Sequence, residues 1–293
     1  MKLYPAILTS IAIGLAACST HAADHVVCAT AGEGCDFVGN RALQEAVDNA
    51  GHGDIIKVRA GIYQSDGHRD IPFKDIIVRG YVLVDAKDLG IIGEDGAILD
   101  GRTGDRASAI VVSNANVSIE NLTIRDFRPD SSDDDTYDGH GIFVIDGKAR
   151  ISSVTFERIK KMAISLRGDS TVVLEDSQML DGHVGTWTEE TAKLEVRDCL
   201  FRNNDSAGIA AYASSVVTVI RSRFESNLDD GVYAAENADI EVSESRFIRN
   251  RPYAVRSVDN AQIRVVSSKF TDNAADRYPS PMRDSNQQVE THD

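Results

Sequence analysis

Along the second half of the chain, apolar and polar residues alternate in short runs, and the runs recur. Leu194-Glu195-Val196, Val217-Thr218-Val219, Ile240-Glu241-Val242 and Ile263-Arg264-Val265 show the period of two that marks a strand with one buried face. Shortly after each run stands an aromatic anchor, Phe201, Phe224, Phe247 or Phe270, at steps of 23 residues. Traced backwards, the register meets Met179, Phe156 and Ile124 at steps of 22, 23 and 32 residues. Asn204, Asn227, Asn250 and Asn273 follow the last four anchors, and small residues precede the anchors: Ser177, Cys199, Ser222, Ser245 and Ser268. Eight residues past the anchors an apolar position returns as Ile164, Trp187, Ile209, Val232, Val255 and Tyr278.

Each repeat holds about three short strands and cannot bury a core alone. Stacked at the strand spacing of roughly 4.8 Å, the repeats would set Phe on Phe and Asn on Asn. The pattern predicts an all-β, single-domain parallel solenoid of about nine or ten coils. The β-branched alternation and the Asn positions oppose a helical repeat. The Asn column is expected in left-handed turns, with its amides bonded from coil to coil. The small column is expected to point inward, with Cys199 as packing material.

The 23-residue coil, the Asn column and the segments Leu43-Gln44-Glu45-Ala46-Val47, Gly53-Asp54-Ile55-Ile56-Lys57-Val58 and Gly61-Ile62-Tyr63 resemble the right-handed parallel β-helices of the pectate lyase-like superfamily. The resemblance covers residues 26–278. It implies the right hand of the coil and a short N-terminal helix over the open end of the core, for which Ala42 to Asp48 has the apolar spacing.

The ends carry other signals. Residues 1–17 read as a signal peptide, with Lys2 before a short apolar run, and Leu15-Ala16-Ala17-Cys18 resembles the bacterial lipoprotein box, with lipid on Cys18. The alternative is cleavage near Ala22 or Ala23. A linker is expected over 18–25, and a frayed polar tail over 279–293. Membrane attachment through Cys18 would place the protein in a bacterial cell envelope, at the outer membrane or in the periplasm; without the lipid it would be periplasmic or secreted. In such an oxidising compartment Cys28 and Cys35, seven apart, suit a local disulfide.

Charge narrows the partners. Lys and Arg total 31 against 46 Asp and Glu, a net charge of −15, which argues against nucleic acid as a partner, since phosphate neutralisation needs a basic face. An acidic polysaccharide would need a local basic patch or a bridging cation.

The longest step in the repeat, between Ile124 and Phe156, carries an insertion over 129–140 that contains Asp133, Asp134, Asp135, Asp138 and His140. Solenoid insertions become loops on one face, frequently the binding face. On neighbouring coils Arg158, Lys160, Lys161, Asp181 and His183 fall nearby in register. Catalytic candidates are therefore His140, Asp138, Lys161, His183 and Arg158: imidazole or amine as base, carboxylates for acid–base work, and Arg for a substrate carboxylate. Asp133, Asp135 and Asp138 are candidate calcium ligands, although their spacing is not that of an EF-hand. A second column past the apolar position offers Phe143, Ser165, Thr188, Ala210, Tyr233 and Arg256, with Ile145, Arg167, Glu190, Tyr212 and Ala235 beside it. Tyr212, Tyr233, Arg256, Arg167 and Glu190 are the substrate-binding candidates, since aromatic faces beside charged groups suit sugar rings.

Gly139-His140-Gly141 and Arg158-Ile159-Lys160 resemble two polygalacturonase motifs, but they stand 17 residues apart and no Asn-Thr-Asp accompanies them. Asp138-Gly139-His140-Gly141 resembles the Asp-Pro-His-Asp of mannuronan epimerases without its Pro and second Asp. Two readings follow. One is an envelope lipoprotein that binds polysaccharide and modifies it as a uronan lyase, epimerase or hydrolase. The other is a noncatalytic scaffold, adhesin or periplasmic binding module.

Overall fold

The computed structural model describes residues 22–130 and 136–278, so Cys18, Asp133, Asp135 and the segment 279–293 lie outside the described residues. The chain winds into coils whose strands form three sheets of 11, 9 and 10 strands, parallel apart from one hairpin. One coil reads Lys193–Arg197 in the first sheet, Leu200–Arg202 in the second and Ile209–Ala211 in the third. The period sets the register: Val196, Val219, Val242 and Val265 are successive partners in the first sheet, and Phe201, Phe224, Phe247 and Phe270 in the second. Their rings stack nearly parallel at 4.8, 4.8 and 5.1 Å, the spacing of the coils themselves.

The Ser column before the anchors and the Asn column after them are bonded from coil to coil. Ser222 Oγ accepts the Cys199 amide and donates to Ile220 O, and Ser245 and Ser268 repeat the pattern one coil on. Cys199 sits in the same column, with burial pushing its thiol up to about 12. In the Asn column, Asn204 Nδ2 donates to Asn227 Oδ1 at 2.9 Å, Asn227 to Asn250 at 2.9 Å and Asn250 to Asn273 at 3.1 Å.

One expectation fails here. The left-handed residues are Asn203, Ser226, Arg249 and Asp272, with φ between 53° and 56°, each one position before the ladder. The ladder Asn must aim its amide inward to meet the next coil, so the residue before it, whose side chain faces water, takes the strained conformation.

The helix Ala42–Asn49 closes the N-terminal end with Ala42, Leu43, Ala46 and Val47 buried. Gln44 bonds both the amide and the carbonyl of Leu83 and so caps the sheet edge beneath it. The first strand starts at Asp24, inside the segment expected to be linker, and ends at Cys28, which is disulfide-bonded to Cys35. Arg69–Phe73 folds back antiparallel on the start of Ile76–Asp85. With Val78, Val111, Phe143, Ile145 and Tyr137, this hairpin forms a second apolar cluster on the outside of the third sheet.

Candidate functional site

The outer face of the third sheet is where the repeat stops being uniform. Register places Phe143, Ser165, Trp187, Ala210, Tyr233 and Arg256 in one column. The hairpin covers its N-terminal end, burying Phe143. Beyond it Ser165 and Ala210 stay buried, while Trp187, Tyr233 and Arg256 are half-buried and reach solvent, so that aromatic rings line the column. Trp187 stacks on Tyr212 with centroids 4.2 Å apart, Tyr212 lies 5.6 Å from Tyr233, and the Arg256 guanidinium sits 4.7 Å over the Tyr233 ring. At the upstream margin the mostly buried Arg167 lies between Tyr137 and Trp187, about 6 Å from each, and is ion-paired with Glu189. Arg256 binds Asp230 Oδ2 through Nε at 2.6 Å and Asp229 Oδ1 through Nη2 at 3.1 Å. The lane thus presents flat apolar rings flanked by two guanidinium groups, a surface suited to pyranose rings with acidic substituents.

Residues 140–278 match the family model described as right handed beta helix region. The fold is a right-handed parallel β-helix. Pectate lyase Pel9A is similar, with a TM-score of 0.56 at 12% identity over 87% of this chain and 78% of that one. A pectate lyase from Xanthomonas campestris follows at 0.52, with 13% identity over 84% and 79%. The PL6 family alginate lyase AlyGC gives 0.54, with 14% identity over 91% of this chain and 41% of its own. No curated protein matches the sequence.

Within the β-helix the proposed catalytic residues separate. His140 is fully buried: Nδ1 meets Ser108 Oγ at 3.0 Å, its ring packs on Tyr137 and Phe143, and Nε2 has no hydrogen-bond partner. Burial, and then Lys161 and Arg167, drive its pKa well down, so it is neutral. Lys161 lies 4.9 Å over the Tyr137 ring. Asp138 is buried, receives the Asp130 amide, and is shifted upward by burial. His183 instead faces solvent and the Asp205 carboxylate at 3.5 Å, one coil on, so it does not join His140 and Lys161. Arg158 is committed to Asp126, through two bonds of 2.8 and 2.9 Å, and to Glu157. Asp181 occupies a left-handed turn and accepts from Asn203. Among the described residues no His, Cys, Asp and Glu cluster has metal-binding geometry, while two of the expected calcium ligands, Asp133 and Asp135, lie outside them.

The binding column needs a correction of one residue. Met162 pairs with Val184 and Ile164 with Thr186, so Thr186 points inward and Trp187, expected in the core, turns outward. Thr188, expected outside, is buried. The cause is a turn between Met179 and Val184 one residue shorter than the matching turn between Phe156 and Met162, which also makes the step from Met179 to Phe201 22 residues. Glu189 therefore stands beside Arg167, and Glu190 falls in the turn with φ 67°. There Glu190 holds Lys74 at the hairpin tip at 2.5 Å and the Gly168 amide at 3.0 Å, so it anchors the hairpin. Tyr212, Tyr233, Arg256 and Arg167 keep the places expected of them on the lane.

Sequence reasoning missed Asp230. Its backbone partner in the next coil is Tyr253, and Gly208 donates to its carbonyl from the coil before. It is completely buried, Oδ1 has no hydrogen-bond partner, and burial pushes its carboxyl up to about 7 against the pull of Arg256. The signal was available: an acid follows Ala207 and precedes Tyr253 in a column that begins with Met162 and Val184.

Proposed function

We propose that this β-helix is a polysaccharide-binding protein of a bacterial cell envelope, anchored by lipid at Cys18, that lays an acidic glycan along the open lane of its third sheet. The carrying observation is the ring sequence Trp187, Tyr212 and Tyr233 with Arg167 and Arg256 at its two ends. Trp187, Tyr212 and Tyr233, packed against one another at 4.2 and 5.6 Å, line the lane with half-buried aromatic surface for sugar C–H groups, and Arg256, partly exposed, is the guanidinium within reach of an acidic polymer, whereas Arg167 is mostly buried against Glu189. The pectate and alginate lyases that share the fold support a glycan as the ligand. Binding without chemistry is the reading favoured, because His140 is sealed and His183 and Arg158 are engaged elsewhere.

Trp187 is the only tryptophan, so fluorescence reads this site alone. Titration with oligogalacturonate, alginate oligomers and neutral glucans should give saturable changes for at least one acidic glycan, lost in Tyr212→Ala. Absence of any response across the panel refutes the reading. Unsaturated product absorbing in the ultraviolet, formed by the wild type and abolished by His140→Ala, would replace it with the lyase reading.

A further inference from the structure

The acid pair beneath Arg256 has an arrangement that simple glycan binding does not need. Asp230 is shut off from water, and one carboxylate oxygen has no donor at all. The other takes Nε of Arg256. Around it, Arg256 and Tyr253 come from the following coil, Asp229 and Tyr233 from its own, and Ala207 on the preceding coil is uncharged. Among the described residues Arg256 is the cation that acts on Asp230, whose charged form the Tyr253 amide also favours, while the Asp229 side chain is exposed and needs no such partner. A buried carboxylate stays ionised only while a counter-charge and donors offset its lost hydration.

Building on the reading above, we propose that Arg256 is the group that takes a carboxylate of the glycan, and that Asp230 is its proton-linked latch. When a glycan carboxylate draws the guanidinium outward, Asp230 is left buried without its counter-ion and takes up a proton from solvent. Acidic glycan then binds with net uptake of one proton: the ligand gains the Arg256 ion pair, Asp230 becomes a neutral carboxylic acid, and no covalent bond changes. The preparation for this step is visible in the free protein, where burial already holds the Asp230 carboxyl far above its ordinary range. Arg256 keeps its charge throughout, because a guanidinium does not lose its proton in this pH range and the glycan carboxylate replaces Asp230 as its counter-ion.

The test compares an oligogalacturonate with the same oligomer methyl-esterified, which keeps the rings and removes the charge. With the full chain, calorimetry in two buffers of different ionisation enthalpy should count close to one proton taken up per acidic oligomer at pH 8, and none for the ester. Affinity for the acidic oligomer should fall about ten-fold between pH 6 and pH 8 by linkage, and affinity for the ester should not. Asp230→Asn should bind the acidic oligomer about ten-fold more tightly than wild type at pH 8 and show a flat profile, which separates Asp230 from surface histidines. Arg256→Gln should abolish the preference for acid over ester. No proton uptake by the wild type, or an unchanged pH slope in a folded Asp230→Asn, overturns the latch; the proton count decides the matter if that variant does not fold. Equal binding of acid and ester sinks this inference alone, whereas failure of both to bind sinks the glycan reading with it.

Discussion

The Asn ladder should hold this β-helix together in a way that depends on position, and Asn227→Ala against Asn273→Ala measures it. Asn227 is fully buried and makes four bonds: Nδ2 donates to Asn250 Oδ1 and Phe201 O, and Oδ1 accepts from the Asn204 amide and Asn204 Nδ2. Truncation leaves the Asn204 amide without its acceptor in a dry interior, at a cost of about 1–3 kcal/mol. The remaining partners keep other bonds in part: Asn204 Nδ2 still reaches Met179 O and Asn250 Oδ1 still accepts the residue 227 amide. Losing these contacts adds about 1 kcal/mol each. The expected total for Asn227→Ala is about 3–5 kcal/mol, a large share of a typical domain's stability. Asn273 bonds Asn250, Phe247 O and Asp276, but it is half-exposed in the last coil, where water replaces a lost partner. Its truncation should cost about 1 kcal/mol. Urea unfolding followed by circular dichroism and by Trp187 fluorescence supplies both values. Equal losses at the two positions, or less than about 1 kcal/mol at Asn227, would show that the ladder does not stabilise through buried-bond satisfaction.

Two other outcomes follow from particular residues. The folded Asp230 carboxyl lies at about 7, above its ordinary 3.8, so its contribution to stability is present in full below about pH 4 and is lost as pH rises through 7. At 1.36 kcal/mol per unit this amounts to no more than about 4 kcal/mol, the pull of Arg256 included, and Asp230→Asn should flatten the fall in melting temperature between pH 5 and pH 8. Gly208 sits where a Cβ would come 2.6 Å from Gly231 O and 2.8 Å from the Phe224 ring. Gly208→Ala should therefore destabilise by about 1–3 kcal/mol, and an unfolding midpoint equal to wild type would refute the close packing.

The features legible in the sequence were those that the stack repeats. Phe201, Phe224, Phe247 and Phe270 announce themselves because a parallel coil sets identical residues in contact, and the inward Ser column does so for the same reason. What escaped were departures from the repeat. One residue fewer before Val184 moves Trp187 from core to surface and exchanges Glu190 for Glu189, a change invisible to an alignment that assumes a constant offset. The covering hairpin was also missed, because Ile71, Phe73 and Ile76 pack on the outside of a sheet and their apolar pattern does not say which face of the solenoid they meet. His140 is a candidate base by its place in the 129–140 insertion and its register with Lys161; its complete burial comes with Tyr137 and Phe143, which lie close in sequence but act through tertiary packing.

The same stacking that makes the fold legible creates an electrostatic problem, and its solution explains where a ligand can bind. Like charges repeated every coil would lie about 4.8 Å apart and repel. The chain answers by opposing signs between coils: Arg221 binds Asp198, Arg158 binds Asp126, Arg249 binds Glu225 and Arg264 binds Glu241. A share of the protein's basic charge is tied up in this way, inside ladders that hold coil to coil. On the third sheet the alternation gives way to rings, so Arg256 stands over Tyr233 with a buried, half-satisfied acid as its main counter-ion. A cation paired with a carboxylate that is better protonated is the one whose partner an outside anion can replace at least cost. An acidic polymer therefore has one favoured place on a strongly acidic surface, and Arg256, rather than the more numerous surface arginines, is the residue whose loss should abolish the preference.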